Sequence, residues 1–556
     1  MPPSSTLRSG AAVVLLALSV AACGGHASDP DAARAGGNSG KGDSGADGGG
    51  VPDYTPTGPL LADIGFRPTA DGFTFRNYGN EHNPTNLTPN AMRALFGDKI
   101  CDNIVDGGCA LTPQAEAWMQ KQNEDMNGGH CQGMSMTSLL MYGHRLDAGQ
   151  FGAARAGELN LDGNPGLQEM IAQQFVGQYL PELQDAQVKG TPAQIVDRLV
   201  ADLKPSGPET YSLGFYKSDH TGGHAVTPYA VEDKGEGRVA ILVYDNNFPG
   251  VTRHIDVDRN ANTWQYETAS NPNEAAAEYR GDAESATLEL DPVSKQLGTH
   301  EFPYTAQIPR GSAAPMGPPV TVYLEGDPIR HGHLLITDDQ GRRIGYADGK
   351  RVNEIPGARF VDTRAGTADY AIEPDYTLPA NTHFVITVDG SGLTAPDRTH
   401  VGIIGDAFAV DVNDIMLAPG SRSTIDTAVD GDRVSYTSTD AQSPAIEIGE
   451  NYQQAGYIFA AREVPVGPGG TATVTLPLNR NVFTIDTGAS GKAGSVAVRM
   501  ERIDTAGTRT FTRDAVPVTP GGSAAFDYDE WDGGGKSMGL TVSENGKATT
   551  TRLPAN

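Results

Sequence analysis

The chain has 556 residues, and 41 Lys+Arg against 69 Asp+Glu give it a formal net charge of −28. That balance excludes electrostatic binding to a nucleic-acid backbone or to an anionic lipid surface, and no apolar run reaches the roughly 18–20 residues of a membrane helix. With 69 Gly and 37 Pro over a length suited to about three or four domains, the composition predicts turn-rich β structure joined by linkers.

The first element is an export signal over residues 1–22. Arg8 supplies a positive start, and residues 11–22 are an apolar stretch too short to span a bilayer. The stretch ends Val20-Ala21-Ala22-Cys23, which resembles the lipobox of bacterial lipoproteins. The resemblance implies cleavage before Cys23, diacylation of its thiol, and an extracytoplasmic protein anchored at the outer membrane or cell surface; two acyl chains suffice for stable anchoring. Residues 23–60 are rich in Gly, Asp and Ser and hold too few large apolar side chains for a core, so a flexible tether is expected there.

Of the four cysteines, Cys101 and Cys109 bracket a Gly-containing loop, CDNIVDGGC, and an oxidising compartment favours a local disulfide between them. The rival pairing is Cys109 with Cys131. With the first pairing and Cys23 lipidated, Cys131 is left as an odd thiol, which points to reactivity or intermolecular pairing.

Cys131 lies in NGGHCQGMSMTSLLMY, residues 127–142. The Gly pair reads as a loop, and Met134, Met136, Leu139, Leu140 and Met141 as the buried side of a helix beginning near Cys131. Free N–H groups at a helix start favour a thiolate. Helices are also predicted within 167–183 and from Thr191-Pro192 to about residue 203, with Thr as N-cap and Pro in the first turn. A strand over 211–216 follows, then a strand headed by His224 and a third over 238–244 ending in Asp245-Asn246-Asn247. A hairpin turn near 234–237 brings His224 and Asp245 to one end, where a carboxylate can accept the imidazole Nδ1–H.

A Gly-rich loop into a Cys-headed helix, then Gly-His-Ala-Val on one strand and Tyr-Asp-Asn at the end of the next, resembles a papain-like cysteine peptidase domain. The resemblance covers roughly residues 61–300 and is nearest to bacterial members in which Asp replaces the orienting Asn. It implies Cys131 as nucleophile, His224 as general base and then acid, and Asp245 as the orienting residue, with Asn246 and Asn247 as rivals. The family's oxyanion Gln, six residues before the Cys, is Asp125 here, and an ionised carboxylate cannot donate. Asn127 with the Cys131 N–H is the preferred replacement; Gln122 is the nearest upstream Gln. No cofactor is implied. The substrate class is a protein or peptide, with amidase or acyltransfer chemistry open to the same residues. Singly, each residue has a plainer reading: Cys131 a small buried hydrophobe, His224 a core histidine, 245–247 a turn. His130 and His220 are neighbouring histidines without an assigned role.

Metal sites look weaker. Asp256, Asp258, Asn260 and Glu267 echo a calcium loop, but Ala261 stands where its Gly is required, and 258–262 reads better as a hairpin turn. His331 and His333 share one face of a strand, without a third ligand nearby in sequence. From about residue 300, short apolar strands recur between turn residues, which suggests β-sandwiches: one module at 301–405 and one or more at 406–556, with no evident fixed-period repeat. These modules could bind a glycan or protein, or act as spacers. Trp531 reads as a core or hairpin anchor. The expected whole is an α+β papain-like domain followed by all-β, Ig-like sandwich modules, serving as a lipid-anchored thiol hydrolase. The rival is a non-catalytic surface-binding protein. Self-cleavage within 24–59 is a third idea.

Overall fold

The near-continuous apolar runs at 211–215, 225–231 and 239–244 become strands covered on both faces, the burial that such runs require. The computed structural model describes residues 53–553, apart from 82, 269–276, 305–318, 367–371, 381, 453, 478–480, 529–530 and 532–537. Within it Tyr211–Phe215, His224–Gly235 and Arg238–Tyr244 are antiparallel neighbours. The hairpin closes with Gly235 opposite Arg238, and Thr227 lies opposite Tyr244. That register carries His224 and Asp245 to the same open end. Thr252–Asp258, Thr263–Thr268 and Ala277–Asp282 extend the sheet on one side, and Leu288–Pro292 and Val188–Lys189 on the other.

Helix Cys131–Tyr142 packs against the strands Tyr211–Phe215 and His224–Gly235 and the helix Pro165–Phe175. Every residue from Cys131 to Met141 is buried, so it has no solvent face. The helix expected over 167–183 is broken: Pro165–Phe175 runs into a 3₁₀ turn, and Pro181 opens a new short helix, Pro181–Ala186, because proline cannot continue the preceding hydrogen-bond ladder. Pro192–Asp202 begins with a capping box, Thr191 and Gln194 bonding reciprocally. Cys101 and Cys109 form a disulfide across a small hairpin, and Cys131 is free.

Residues 1–22, Cys23 and the tether as far as 52 lie outside the described residues, and with them the self-cleavage region 24–59 except for its last seven residues. The last part of the expected tether is not free chain. Tyr54 Oη donates to Glu232 (2.5 Å), as do the N–H groups of Thr57 (2.7 Å) and Gly58 (2.5 Å). These bonds tie 53–60 to the strand His224–Gly235.

The C-terminal half departs from the expected modules. Among the described residues from 320 on, strands form one nine-stranded and one eleven-stranded sheet. Both contribute to one core that includes Val322, Ile336, Val410, Ile425, Phe459 and Phe526. The expected break near 405 falls at a hairpin, Gly405 pairing with Phe408, so separate Ig-like modules are replaced by one long sandwich. A repeat is present after all. Hairpins beginning at Asp397, Ala445 and Gly494 lie in one sheet; the first two are each followed by a pair of strands in the other sheet, and the third by three. The crossing each time is a Pro-Gly corner: Pro419-Gly420, Pro468-Gly469 and Pro520-Gly521. The three glycines have φ of 78°, 66° and 70°, and closing bonds run from Ser421, Gly470 and Gly522 N–H to Ala418, Gly467 and Thr519 carbonyls at 2.8–2.9 Å. These are type II turns, which require positive φ after the proline.

The boundary expected at 300 is also bridged. A core shared by both halves includes Leu95, Trp118, Phe302, Tyr323, Ile404 and Ala409. Buried Lys121 pairs with Asp125 on its own helix and reaches Asp375 in the sandwich (2.7 Å). Asp125, at the position of the family's oxyanion Gln, is therefore a structural partner of a lysine.

Candidate active site

Cys131, His224 and Asp245 meet where the helix start abuts the open end of the hairpin, and none is more than 2 % exposed. Cys131 Sγ accepts the Ala225 N–H at 3.3 Å. His224 Nε2 lies 2.8 Å from Asp245 Oδ1, while Nδ1 is buried on the Cys131 side of the ring and makes no hydrogen bond. This reverses the expected ring orientation, in which Nδ1 served the carboxylate. The reason is reach: Nδ1, on the short side of the ring, meets the helix start beside His224's own strand, and Nε2 extends to the end of the next strand.

Asp245 is held from three directions. Its Oδ1 accepts the Asn247 N–H (2.9 Å) as well as facing the imidazole, and its Oδ2 accepts Tyr266 Oη–H (2.6 Å). Of the three orienting candidates, Asp245 alone faces His224 closely. Asn246 Nδ2 instead donates to the carbonyls of Cys131 (3.1 Å) and Ala225 (3.0 Å), tying helix start to hairpin. Asn247 Nδ2 is 3.5 Å from His224 Nε2 and donates to Gly366 O at 3.0 Å. Tyr266 was invisible to motif reading; its only signal was a polar-tipped aromatic on a strand two places along the sheet from the one that ends at Asp245.

Burial opposes charge on His224, but the Asp245 carboxylate and the Cys131 sulfur on opposite sides of the ring push its pKa up to about 10. Burial likewise opposes charge on Asp245, and the His224 cation, with the Tyr266 and Asn247 donors, holds its pKa below the ordinary carboxylate value. An imidazolium between sulfur and carboxylate is the favoured charge state.

His130 is a different case. It is fully buried, stacked on Tyr78 with centroids 4.1 Å apart, and its Nδ1–H donates to Tyr78 O (2.6 Å). Burial, opposed by that bond, lowers its pKa to about 4, so it is a neutral packing group. Asn127 is exposed, in the 3₁₀ turn Met126–Gly128. The side-chain amide beside the helix start is Asn77, whose Oδ1 accepts the His130 N–H (2.7 Å). Asn77 lies in an upstream loop, with no motif to mark it. Gln122 is buried in the Pro113–Asp125 helix. At the calcium-like loop, Asp258 Oδ1 accepts the N–H groups of Asn260 and Ala261 (2.9 Å each), the bonds of a hairpin turn.

The sandwich closes this site. Residues 362–366 leave it and run between the helix start and the His224 strand. Arg364 forms an isolated parallel bridge with Gly223. Gly366 N–H donates to Gly223 O at 3.0 Å, and Asn77 Nδ2 donates to Ala365 O at 2.9 Å. A Cβ added to Gly366, whose φ is +92°, would stand 2.5 Å from Asn77 Nδ2, 2.7 Å from His224 Nδ1 and 2.9 Å from Cys131 Cβ. Only glycine fits there. The carbonyl of Gly366 accepts from Asn247 Nδ2 (3.0 Å), the amide that also lies 3.5 Å from His224 Nε2. The segment thus packs directly over Cys131 and His224.

Its anchors are buried and charged. Arg364, 1 % exposed, binds Asp291 through Nη1 (2.5 Å) and Nη2 (3.3 Å). Asp291 also accepts from Gln132 (3.2 Å), the residue after the cysteine, and from Gln187 (2.8 Å). Asp362 pairs with Arg351 (2.7 Å) and with His220 (3.4 Å), and Thr363 meets Tyr179 Oη at 2.9 Å. His220 is thus an anchor of the covering segment. No protein-family model, curated protein or solved structure matches the chain.

Proposed function

We propose that the protein is a thiol hydrolase of papain-like type, acting on amide bonds of a protein or peptide and held latent by its own residues 363–366. The observation that carries this reading is the buried imidazole of His224, held through Nε2 by Asp245 (2.8 Å) with its free Nδ1 on the side of Cys131, which opens a buried helix. With substrate in place, Cys131 thiolate attacks the carbonyl carbon and the imidazolium gives its Nδ1 proton to the leaving amine. Nδ1 then takes a proton from water, whose hydroxide displaces the acyl group from sulfur and restores the thiolate–imidazolium pair. Asp245 holds the ring and favours its cation throughout. Asn77 is the side-chain donor best placed to assist a developing oxyanion, in place of Asn127. The lipobox-like N-terminus fits a domain tethered outside the cytoplasm, with the lipid on Cys23 as the membrane contact; the sandwich could take a glycan or protein ligand.

One observation favours a second reading, a non-catalytic binding protein: Gly366 fills the space a substrate carbonyl needs. The two readings separate by alkylation of Cys131 against pH, mapped by mass spectrometry, in the native chain and in Gly366→Val. The latent hydrolase gives slow labelling in the native chain and fast labelling in the variant, already at pH 5–6 and slowed by His224→Ala. Slow labelling in both, or an ordinary thiol profile in the variant, supports the binding protein.

A further inference from the structure

Away from the cleft, the sandwich brings together two imidazoles and a carboxylate from distant parts of the sequence. His331 and His333 stand at the start of the strand His333–Asp338, with ring centroids 5.4 Å apart. Glu373 comes from the segment entering Asp375–Leu378, a strand of the opposite sheet. Its Oε2 lies 3.4 Å from His331 Nε2 and 2.8 Å from His333 Nδ1. One ligating atom from each residue falls within 4.8 Å of the other two.

The hydrogen bonds fix which atoms are available. His331 Nδ1 lies 3.0 Å from the Asp327 carbonyl oxygen, which can only accept, so Nδ1 carries a proton. Nε2 is then the lone-pair nitrogen of the neutral ring. It is buried, makes no hydrogen bond, and faces a carboxylate oxygen that also offers a lone pair. Burying two lone pairs face to face is costly unless a positive centre lies between them. A proton or a metal cation can fill that place, and the surroundings suit the metal. Two ligands on one tetrahedral zinc at about 2.0–2.1 Å sit roughly 3.3 Å apart, the spacing of His331 Nε2 and Glu373 Oε2. The shorter His333 contact is a hydrogen bond that opens as the ring gives up its Nδ1 proton to bind.

The outer partners are those a metal centre needs. Glu373 Oε1 accepts the Leu334 N–H at 2.9 Å and the Tyr376 hydroxyl, which orients the carboxylate. The Asp327 carbonyl orients His331. Glu373 and His331 side chains are 1 % and 5 % exposed, while His333, stacked on Tyr346 at 4.2 Å, is 43 % exposed. The entry path and an open coordination position therefore lie on the His333 side. We propose that His331, His333 and Glu373 form a site for one divalent transition-metal ion of the zinc class, clipping the two sheets together, with water completing its coordination. Mixed imidazole and carboxylate donors suit zinc better than calcium or magnesium.

The test uses the full chain carrying Cys131→Ser, so that the thiol of the cleft cannot bind metal and the outcome is independent of the hydrolase reading. The protein is stripped with chelator and titrated with Zn2+ by calorimetry, and with Co2+ as an absorbing probe. The site predicts one equivalent of Zn2+ bound, and visible bands of four-coordinate Co2+. His333→Ala, at a half-exposed position, is expected to leave the fold intact by circular dichroism and to weaken Zn2+ binding by at least about tenfold. Glu373→Gln is expected to weaken it further. Absence of saturable binding in the parent, meaning that a proton fills the place, overturns the proposal. So does binding that His333→Ala leaves unchanged.

Discussion

Two buried cation–carboxylate pairs flank the covering segment: His224 with Asp245 (2.8 Å) beneath it, and Arg364 with Asp291 (2.5 Å) within it. All four groups are nearly inaccessible. Both cations are favoured over their neutral forms by the same cause, an adjacent carboxylate outweighing burial. What separates them is the base. An imidazole can release and recover a proton, and Nδ1 of His224 faces sulfur; a guanidinium has no accessible neutral state. One pair is therefore suited to chemistry and the other to holding chain in place. Buried charge alone does not identify an active site; the titratable group and the atom it faces do.

The largest effect is expected at the thiol. In a Gly366→Val background, where the cleft is open, Cys131→Ala should abolish peptide hydrolysis, a loss on the order of a millionfold for a group acting with its partner base. Asp245→Asn, assayed in the same way, should cost about ten-thousandfold, because an amide no longer favours the ring's cation and orientation. Equal rates for Asp245→Asn and its parent would break the distinction between the reactive pair and the locking pair.

Next comes the lock. Arg364→Ala leaves Asp291 buried without its cation and should destabilise the protein by about 3–5 kcal/mol in denaturant unfolding, while raising Cys131 labelling under native conditions. Arg364→Lys keeps the charge but loses the two-pronged contact, so a smaller loss is expected. Gly366→Ala is a gentler probe: an intruding Cβ of the kind described should cost about 1–3 kcal/mol, favouring the open state by roughly tenfold to a hundredfold. Cys131 alkylation should accelerate by that factor. An unchanged rate would mean that the segment does not control access.

The cluster of Cys131, His224 and Asp245 was largely legible in sequence because its parts sit on short-range elements: a Gly pair before the Cys131 helix, a histidine heading a strand, and an Asp ending the next. The hairpin turn fixes their meeting, and a turn is local. Asn77, Tyr266 and the 362–366 segment were not legible. Asn77 and Gly366 reach the cysteine across 54 and 235 positions of sequence, and nothing in Thr363-Arg364-Ala365-Gly366 marks it as a cover. His331 and His333 were visible as a pair, but Glu373 belongs to the opposite sheet. The sandwich repeat escaped because what recurs is a Pro-Gly corner and a change of sheet, with hairpins of unequal length between.

The smallest effect sharpens the comparison through pH. His224 is the group whose folded pKa, about 10, lies above its ordinary value of 6.5. A raised pKa means the folded state binds the proton more tightly than the unfolded chain does, so this stabilisation is complete below about pH 6.5 and is lost as pH rises through 10. Asp245, with a lowered pKa, adds stability that is present above its ordinary 3.8 and lost as pH falls further. The stability difference between the native chain and His224→Gln should therefore be greatest between about pH 4 and 6.5 and shrink steadily toward pH 10. Arg364→Lys should show no comparable slope over that range, since neither of its cations titrates there. Parallel pH curves for the two variants would show that His224 does not carry an imidazolium, and would remove the physical basis for separating the pairs.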